Sequence, residues 1–219
     1  YIFVLFLIPA LISFMGCKDK TTDPDPDPIN ETKVLLDYME QTNYIYTAPS
    51  FVINASDVRT AMLTNPTSQY IVDIRAAADF ATGHIEGAVN VTFGNLLTHI
   101  KGININSYEK VVVVCYSGQT SAYAVSLVRA IGGYNKVVSL KWGMSSWNEF
   151  FATNYWLKPD NRSNVRAADF VQTPSPAKPP KGDLPKINTG KTNAVDILEA
   201  RVAALFAAGY SPIATINNS

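Results

Sequence analysis

"VVVVCYSGQTSAYAVSLV", residues 111–128, runs four valines into one cysteine, then into small polar residues, then into an amphipathic stretch. Four consecutive β-branched residues, apolar on both faces of the pleat, predict a central parallel strand covered by helices on each side. Cys115 then falls at the carboxyl end of that strand, just before a helix expected from about Thr120 to Ile131. In open α/β sheets that edge is where ligands bind.

Outward from this stretch, short β-branched runs alternate with helical patterns. The runs are FVI at 51–53, YIVDI at 70–74, AVNV at 88–91 and VVSL at 137–140, with helices after Ser56 and near Asn95 to Ile100. Strand followed by helix, repeated, argues an α/β domain with a mostly parallel sheet.

Two readings of Cys115 compete. A free cysteine often serves as a small buried hydrophobe. At the start of a helix, however, the dipole and the free backbone N–H groups favour a thiolate over a thiol. Tyr116, Ser117, Gly118, Gln119, Thr120 and Ser121 have the polar, small and glycine content of a loop whose amides turn inward to cradle an anion. On the loop by itself, packing and reaction stand level.

The surrounding residues separate them. VDIRAAADFATGHIEGAVNV, residues 72–91, sets Asp73 and Arg75 after a strand, then Phe80, Gly83-His84-Ile85, Gly87-Ala88 and Asn90. Residues 111–148 add Cys115, Gly118, Ser121, an amphipathic helix, Gly132-Gly133 and a closing segment from Leu140 to Trp147. Together they resemble the signature of rhodanese-like domains, in unbroken order over about residues 50–152. The resemblance implies a three-layer α/β fold with a central, mostly parallel five-stranded sheet flanked by helices. It also implies sulfur transfer: Cys115 as nucleophile takes a sulfane sulfur from thiosulfate or a persulfide, carries it as its own persulfide, and passes it to a thiol or other thiophilic acceptor. Tyr116 through Ser121 would supply backbone donors, and neither a metal nor an organic cofactor is required.

Other positions take structural readings. Asp73 and Arg75 are expected to form an ion pair at the strand end, His84 to fix its loop, and Trp142 and Trp147 to be core or rim residues. Gln119 and Thr120 stand where many family loops carry arginine or lysine. Ser121 stands where the related Cys-based phosphatases and arsenate reductases need arginine, which argues against phosphoryl chemistry. A non-catalytic module that binds a partner or senses sulfur species on the same fold is the rival reading.

Composition narrows the rest. With 18 basic and 18 acidic residues there is no electrostatic reason to expect a nucleic-acid partner. Two cysteines and the separated His84 and His99 offer no cluster at metal-ligand spacing.

Residues 1–16 are an apolar run suited to a signal peptide that is incomplete at its N-terminus. Gly16-Cys17 followed by a polar Asp/Pro segment resembles the lipobox of bacterial lipoproteins, so Cys17 is expected to carry lipid and residues 17–32 to form a tether. The protein is therefore expected to be an exported bacterial lipoprotein, periplasmic or associated with the outer membrane and held at a membrane surface; the competing reading is an ordinary signal peptide whose cysteine is incidental. The domain itself is expected at 33–170, with a Pro/Lys-rich linker at 171–192. A helix follows in 193–219, where residues from Ile197 echo those from Leu35 and suggest the start of a second, truncated repeat.

Overall fold

The computed structural model describes residues 29–42, 50–157 and 173–211. Cys17, the Asp/Pro tether up to residue 28, and much of the echo between the two lead-ins lie outside the described residues.

Five strands, β1 (Val52–Ile53), β2 (Gln69–Asp73), β3 (Val89–Asn90), β4 (Lys110–Val114) and β5 (Val137–Leu140), form one sheet in the order β1-β5-β4-β2-β3. All of its pairings are parallel. The valine run is its middle strand, and Val111 to Val114 are fully buried. Alternation along the pleat sends Val111 and Val113 into one core and Val112 and Val114 into the other. A strand with a polar face could not occupy this position without burying that face.

The helices are α1 (Glu31–Gln41), α2 (Ala55–Thr64), α3 (Ala77–Thr82), α4 (Leu96–Gly102), α5 (Gln119–Ala130), α6 (Met144–Trp147) and α7 (Ala194–Ala208). After α6 the chain makes a turn at Glu149–Phe151 and a π-helical stretch at Ala152–Trp156. The first core takes Leu35 of α1, Ile100 of α4, Val125 and Val128 of α5, and Val202 of α7. The second takes Val58 of α2, Ile85, Leu140, Met144 and Phe151. Three layers result, with the sheet in the middle.

Two segments that the sequence reading places beyond the domain pack against it. The helix that the reading sets apart as an opening repeat, α7, buries Ile197, Leu198, Val202 and Phe206 in the first core, with Phe206 against Phe93 at 5.1 Å between ring centroids. Its apolar face needs cover, and α1, α4 and α5 provide it.

The Pro/Lys-rich segment is not a free tether where it approaches α1. Thr32 Oγ donates to Pro185 O at 2.6 Å and accepts from Ile187 N at 3.1 Å. The Glu31 carboxylate accepts from Thr189 N, Thr189 Oγ and Gly190 N at 2.7–2.9 Å. The Thr189 hydroxyl, with the backbone N–H groups, outweighs burial and holds the Glu31 carboxyl below its ordinary range.

Candidate active site

Because every strand points the same way, the segments leaving β1, β2, β4 and β5 emerge at one edge of the sheet. Asn54, Arg75, Cys115 and Trp142 therefore share that edge, although up to 88 residues separate them in sequence.

Cys115 lies directly beyond β4 and is 5% exposed. Its sulfur is surrounded by donors. Sγ accepts from Gly118 N at 3.2 Å and from Ser121 N at 3.3 Å, and the thiol donates to Ser121 Oγ at 3.3 Å. Ser121 is in the first turn of α5, so the sulfur sits where a capping side-chain oxygen usually satisfies a free helix N–H. Ser117 and Thr120 are half-buried and Gln119 is exposed. No charged side chain occurs between residues 115 and 121.

Gly118 makes this closure possible. Its φ is +85°, and a Cβ there would stand 2.8 Å from Trp142 N. A side chain would therefore suffer both backbone strain and collision.

The opposing loop after β5 is fastened to the cysteine loop by Met144 N donating to Cys115 O at 2.8 Å, and by Ser145 N and Oγ donating to Tyr116 O at 3.0 and 3.1 Å. Gly143, at φ +55°, lies so close that a Cβ would strike the Cys115 carbonyl oxygen. The loop is thus held from two sides.

Tyr116 packs among aromatic rings. Its ring packs on Tyr155 at 4.1 Å between centroids, and its hydroxyl accepts from Tyr155 Oη at 3.1 Å. Burial, reinforced by Asp79 and Tyr155, pushes the Tyr116 hydroxyl well above its ordinary value, so it remains a neutral phenol.

Asp73 and Arg75 form a buried ion pair, with Arg75 Nη2 2.6 Å from Asp73 Oδ2 and Nε 3.0 Å from both carboxylate oxygens. Arg75 Nη2 also donates to Gly83 O at 2.7 Å, and the guanidinium carbon stands 5.1 Å from the centroids of both Tyr116 and Phe151. Asn90 Nδ2 closes the strand end by donating to the carbonyls of Asp73 and Arg75 at 2.9 Å. The pair therefore supports the residue beside the cysteine.

His84 is exposed, stacks on Phe80 at 3.7 Å between centroids, and bonds Phe80 O through Nδ1 at 2.9 Å. A carbonyl can only accept, so Nδ1 carries the proton. No contact joins His84 to Cys115 among those described.

Two residues outside the sequence-derived site belong to this edge. Ser139, buried in β5, has its hydroxyl 2.7 Å from Ser121 Oγ. The signal for it was a lone hydroxyl in the apolar run VVSL, because a buried polar group needs a partner. Trp142 is the one non-glycine residue with positive φ among the described residues, at +61°. The sequence carries no local mark of that conformation.

A rhodanese-like domain model matches residues 54–150. Over 87 residues the chain is 38% identical to thiosulfate sulfurtransferase GlpE of Shewanella oneidensis, covering 40% of this chain and 83% of that protein. A second relative, thiosulfate sulfurtransferase GlpE of Pseudomonas putida, is 36% identical over 78 residues, covering 35% of this chain and 67% of that protein. Among solved structures, the rhodanese-like domain protein from Staphylococcus aureus matches 44% of this chain and 90% of its own, at 26% identity and a TM-score of 0.39. By the sequence matches across residues 54–150 and to these two relatives, the chain belongs to the rhodanese-like domain family.

Proposed function

We propose that this protein is a sulfurtransferase that carries sulfane sulfur on Cys115. The observation that carries the reading is the donor cradle: a sulfur at the carboxyl edge of the sheet, facing Gly118 N and Ser121 N at 3.2 and 3.3 Å. Backbone donors fixed in advance at a charge-bearing atom stabilise that charge without reorganisation.

In the first half-reaction the Cys115 thiolate attacks the outer sulfur of thiosulfate. The S–S bond of the donor breaks, its electron pair leaves with sulfite, and Cys115 becomes a persulfide. In the second, a thiophilic acceptor attacks the outer sulfur and the electron pair returns to Cys115 Sγ. No net oxidant or reductant is consumed.

Thiosulfate as donor is supported by the similarity to the thiosulfate sulfurtransferases GlpE. Export and a lipid on Cys17 complete the proposal, supported by the apolar run before Gly16-Cys17 and the Asp/Pro segment after it.

Intact-mass measurement after incubation with thiosulfate tests the reaction. A gain of about 32 Da, one sulfur atom on the thiolate, should appear on the wild type, disappear on adding cyanide with release of thiocyanate, and be absent in Cys115→Ser. A protein that never gains this mass from thiosulfate or from an organic persulfide is a binding or sensing module instead.

A further inference from the structure

Trp142 lies in a conformation that L side chains avoid. At φ +61° it belongs to the left-handed region, where a bulky residue is strained. Its neighbour in sequence, Gly143, also has positive φ, and the backbone of both presses on the cysteine loop. Glycine would serve the backbone at position 142 without strain. The indole therefore has to be accounted for by what the side chain does.

It is not filling the core. Trp142 is 50% exposed, and its ring pairs with that of Trp156, 42% exposed, at 5.1 Å between centroids and a tilt of 44°. Trp142, but not Trp156, lines a cleft of about 260 Å³ together with Asn54, Ala55, Ser56, Lys141 and Ser146. This cleft is at the edge of the sheet where Cys115 emerges, and the backbone of its wall at Trp142 abuts Gly118 of the cysteine loop. A strained aromatic residue is thus kept half in solvent at the edge of the sheet where Cys115 emerges, with its backbone against the cysteine loop.

We infer that Trp142, paired with Trp156, determines specificity for the sulfur acceptor, and that the acceptor is an organic thiol with an apolar or aromatic body. The inference rests on the sulfur-transfer reading of Cys115 and names the substrate class of that same site. Indole faces offer a large apolar contact with little side-chain entropy to lose, whereas an acceptor without a carbon body gains nothing from them. In the transfer step the acceptor thiolate attacks the outer sulfur of the Cys115 persulfide. The S–S bond to Cys115 breaks, its electron pair stays on Sγ, and the acceptor departs as an organic persulfide.

The test compares two acceptors on protein loaded with sulfur: 2-phenylethanethiol, which has an aromatic body, and 2-mercaptoethanol, which does not. The wild type should prefer the aromatic thiol in kcat/KM by about tenfold, the upper end of the discrimination expected of one good aromatic contact. Trp142→Gly, which keeps the backbone conformation, and Trp156→Ala, which removes the ring partner from another segment, should each bring that ratio close to one. A wild type with no preference, or variants whose ratio stays within twofold of the wild type, would overturn the assignment.

A second measurement separates this inference from the one beneath it. In Cys115→Ser protein, 2-phenylethanol should quench tryptophan fluorescence saturably, and Trp142→Gly should abolish the effect. Quenching without persulfide formation in the wild type would leave the indole site standing and remove sulfur transfer. Persulfide formation without quenching would do the reverse.

Discussion

Ser139 Oγ on β5 stands 2.7 Å from Ser121 Oγ, which in turn is 3.3 Å from Cys115 Sγ, so two buried hydroxyls link the middle of the sheet to the candidate nucleophile. When the sulfur is a thiolate, Ser121 can donate to it while accepting from Ser139, and each bond polarises the next. Replacing Ser139 by alanine removes one such bond, worth about 1 kcal/mol. Alkylation of Cys115 by iodoacetamide at neutral pH should slow by roughly fivefold on that figure, and Ser139→Thr should restore part of the rate if the methyl is accommodated. An alkylation rate in Ser139→Ala equal to the wild type would show that Ser139 only fills space.

Gly118→Ala places a Cβ 2.8 Å from Trp142 N at a residue with φ +85°. Strain in the left-handed region costs about 1–2 kcal/mol before the collision is counted. Thermal unfolding should reveal that loss, and persulfide formation should fall together with it because Gly118 N is one of the donors to the sulfur. A variant that keeps wild-type stability would contradict the close approach of the two loops.

Removing Arg75 leaves the Asp73 carboxylate buried without its counter-charge. Breaking a buried pair from one side costs about 3–5 kcal/mol, so Arg75→Ala should unfold at clearly lower urea concentration. Arg75→Lys should recover little of this. An ammonium cannot reproduce the paired Nε and Nη2 contacts to the carboxylate while also reaching Gly83 O. Recovery to near wild type with lysine would mean that charge, rather than the planar fork, is what the site needs.

Acid should loosen the strap over α1 before the sheet. The folded-state value of Glu31 is lowered from 4.5, first by the Thr189 hydroxyl. The unfolded chain therefore binds this proton at higher pH than the folded one. The stabilisation is complete above the ordinary glutamate value and is lost as pH falls through the lowered one. Hydrogen exchange of the Thr189 and Gly190 amides, corrected for intrinsic rates, should accelerate on acidification below 4.5. Glu31→Gln should show fast exchange already at neutral pH and no further acid step.

Cys115→Ser should fold with nearly unchanged stability, within about 1 kcal/mol, because a hydroxyl can accept from the same backbone N–H groups. Calorimetry on that variant, paired with its mass spectrum, distinguishes reaction from packing. A strongly destabilised variant would indicate that the sulfur is needed chiefly as core, and a stable variant that still gains sulfur would remove Cys115 from the mechanism.

The sequence by itself determined the sheet and the place of the sulfur. Valines at 111–114 are apolar on both pleat faces, and only a strand covered on both sides can bury them. The small polar run after Cys115 and the amphipathic pattern beyond it are likewise local, which is why the loop and the start of α5 were legible from residue types and spacing. The ion pair of Asp73 with Arg75 was legible for the same reason, being two residues apart. Tertiary structure decided the rest. Ser139 meets Ser121 across 18 residues of sequence, Thr189 meets Glu31 across 158, and α7 closes the core begun by α1. Trp142 acquires its left-handed backbone from the approach of two loops. Periodicity and turn chemistry act over a few residues, whereas these partnerships depend on the path of the whole chain, and a serine, a glutamate or an apolar helix face does not name its distant partner.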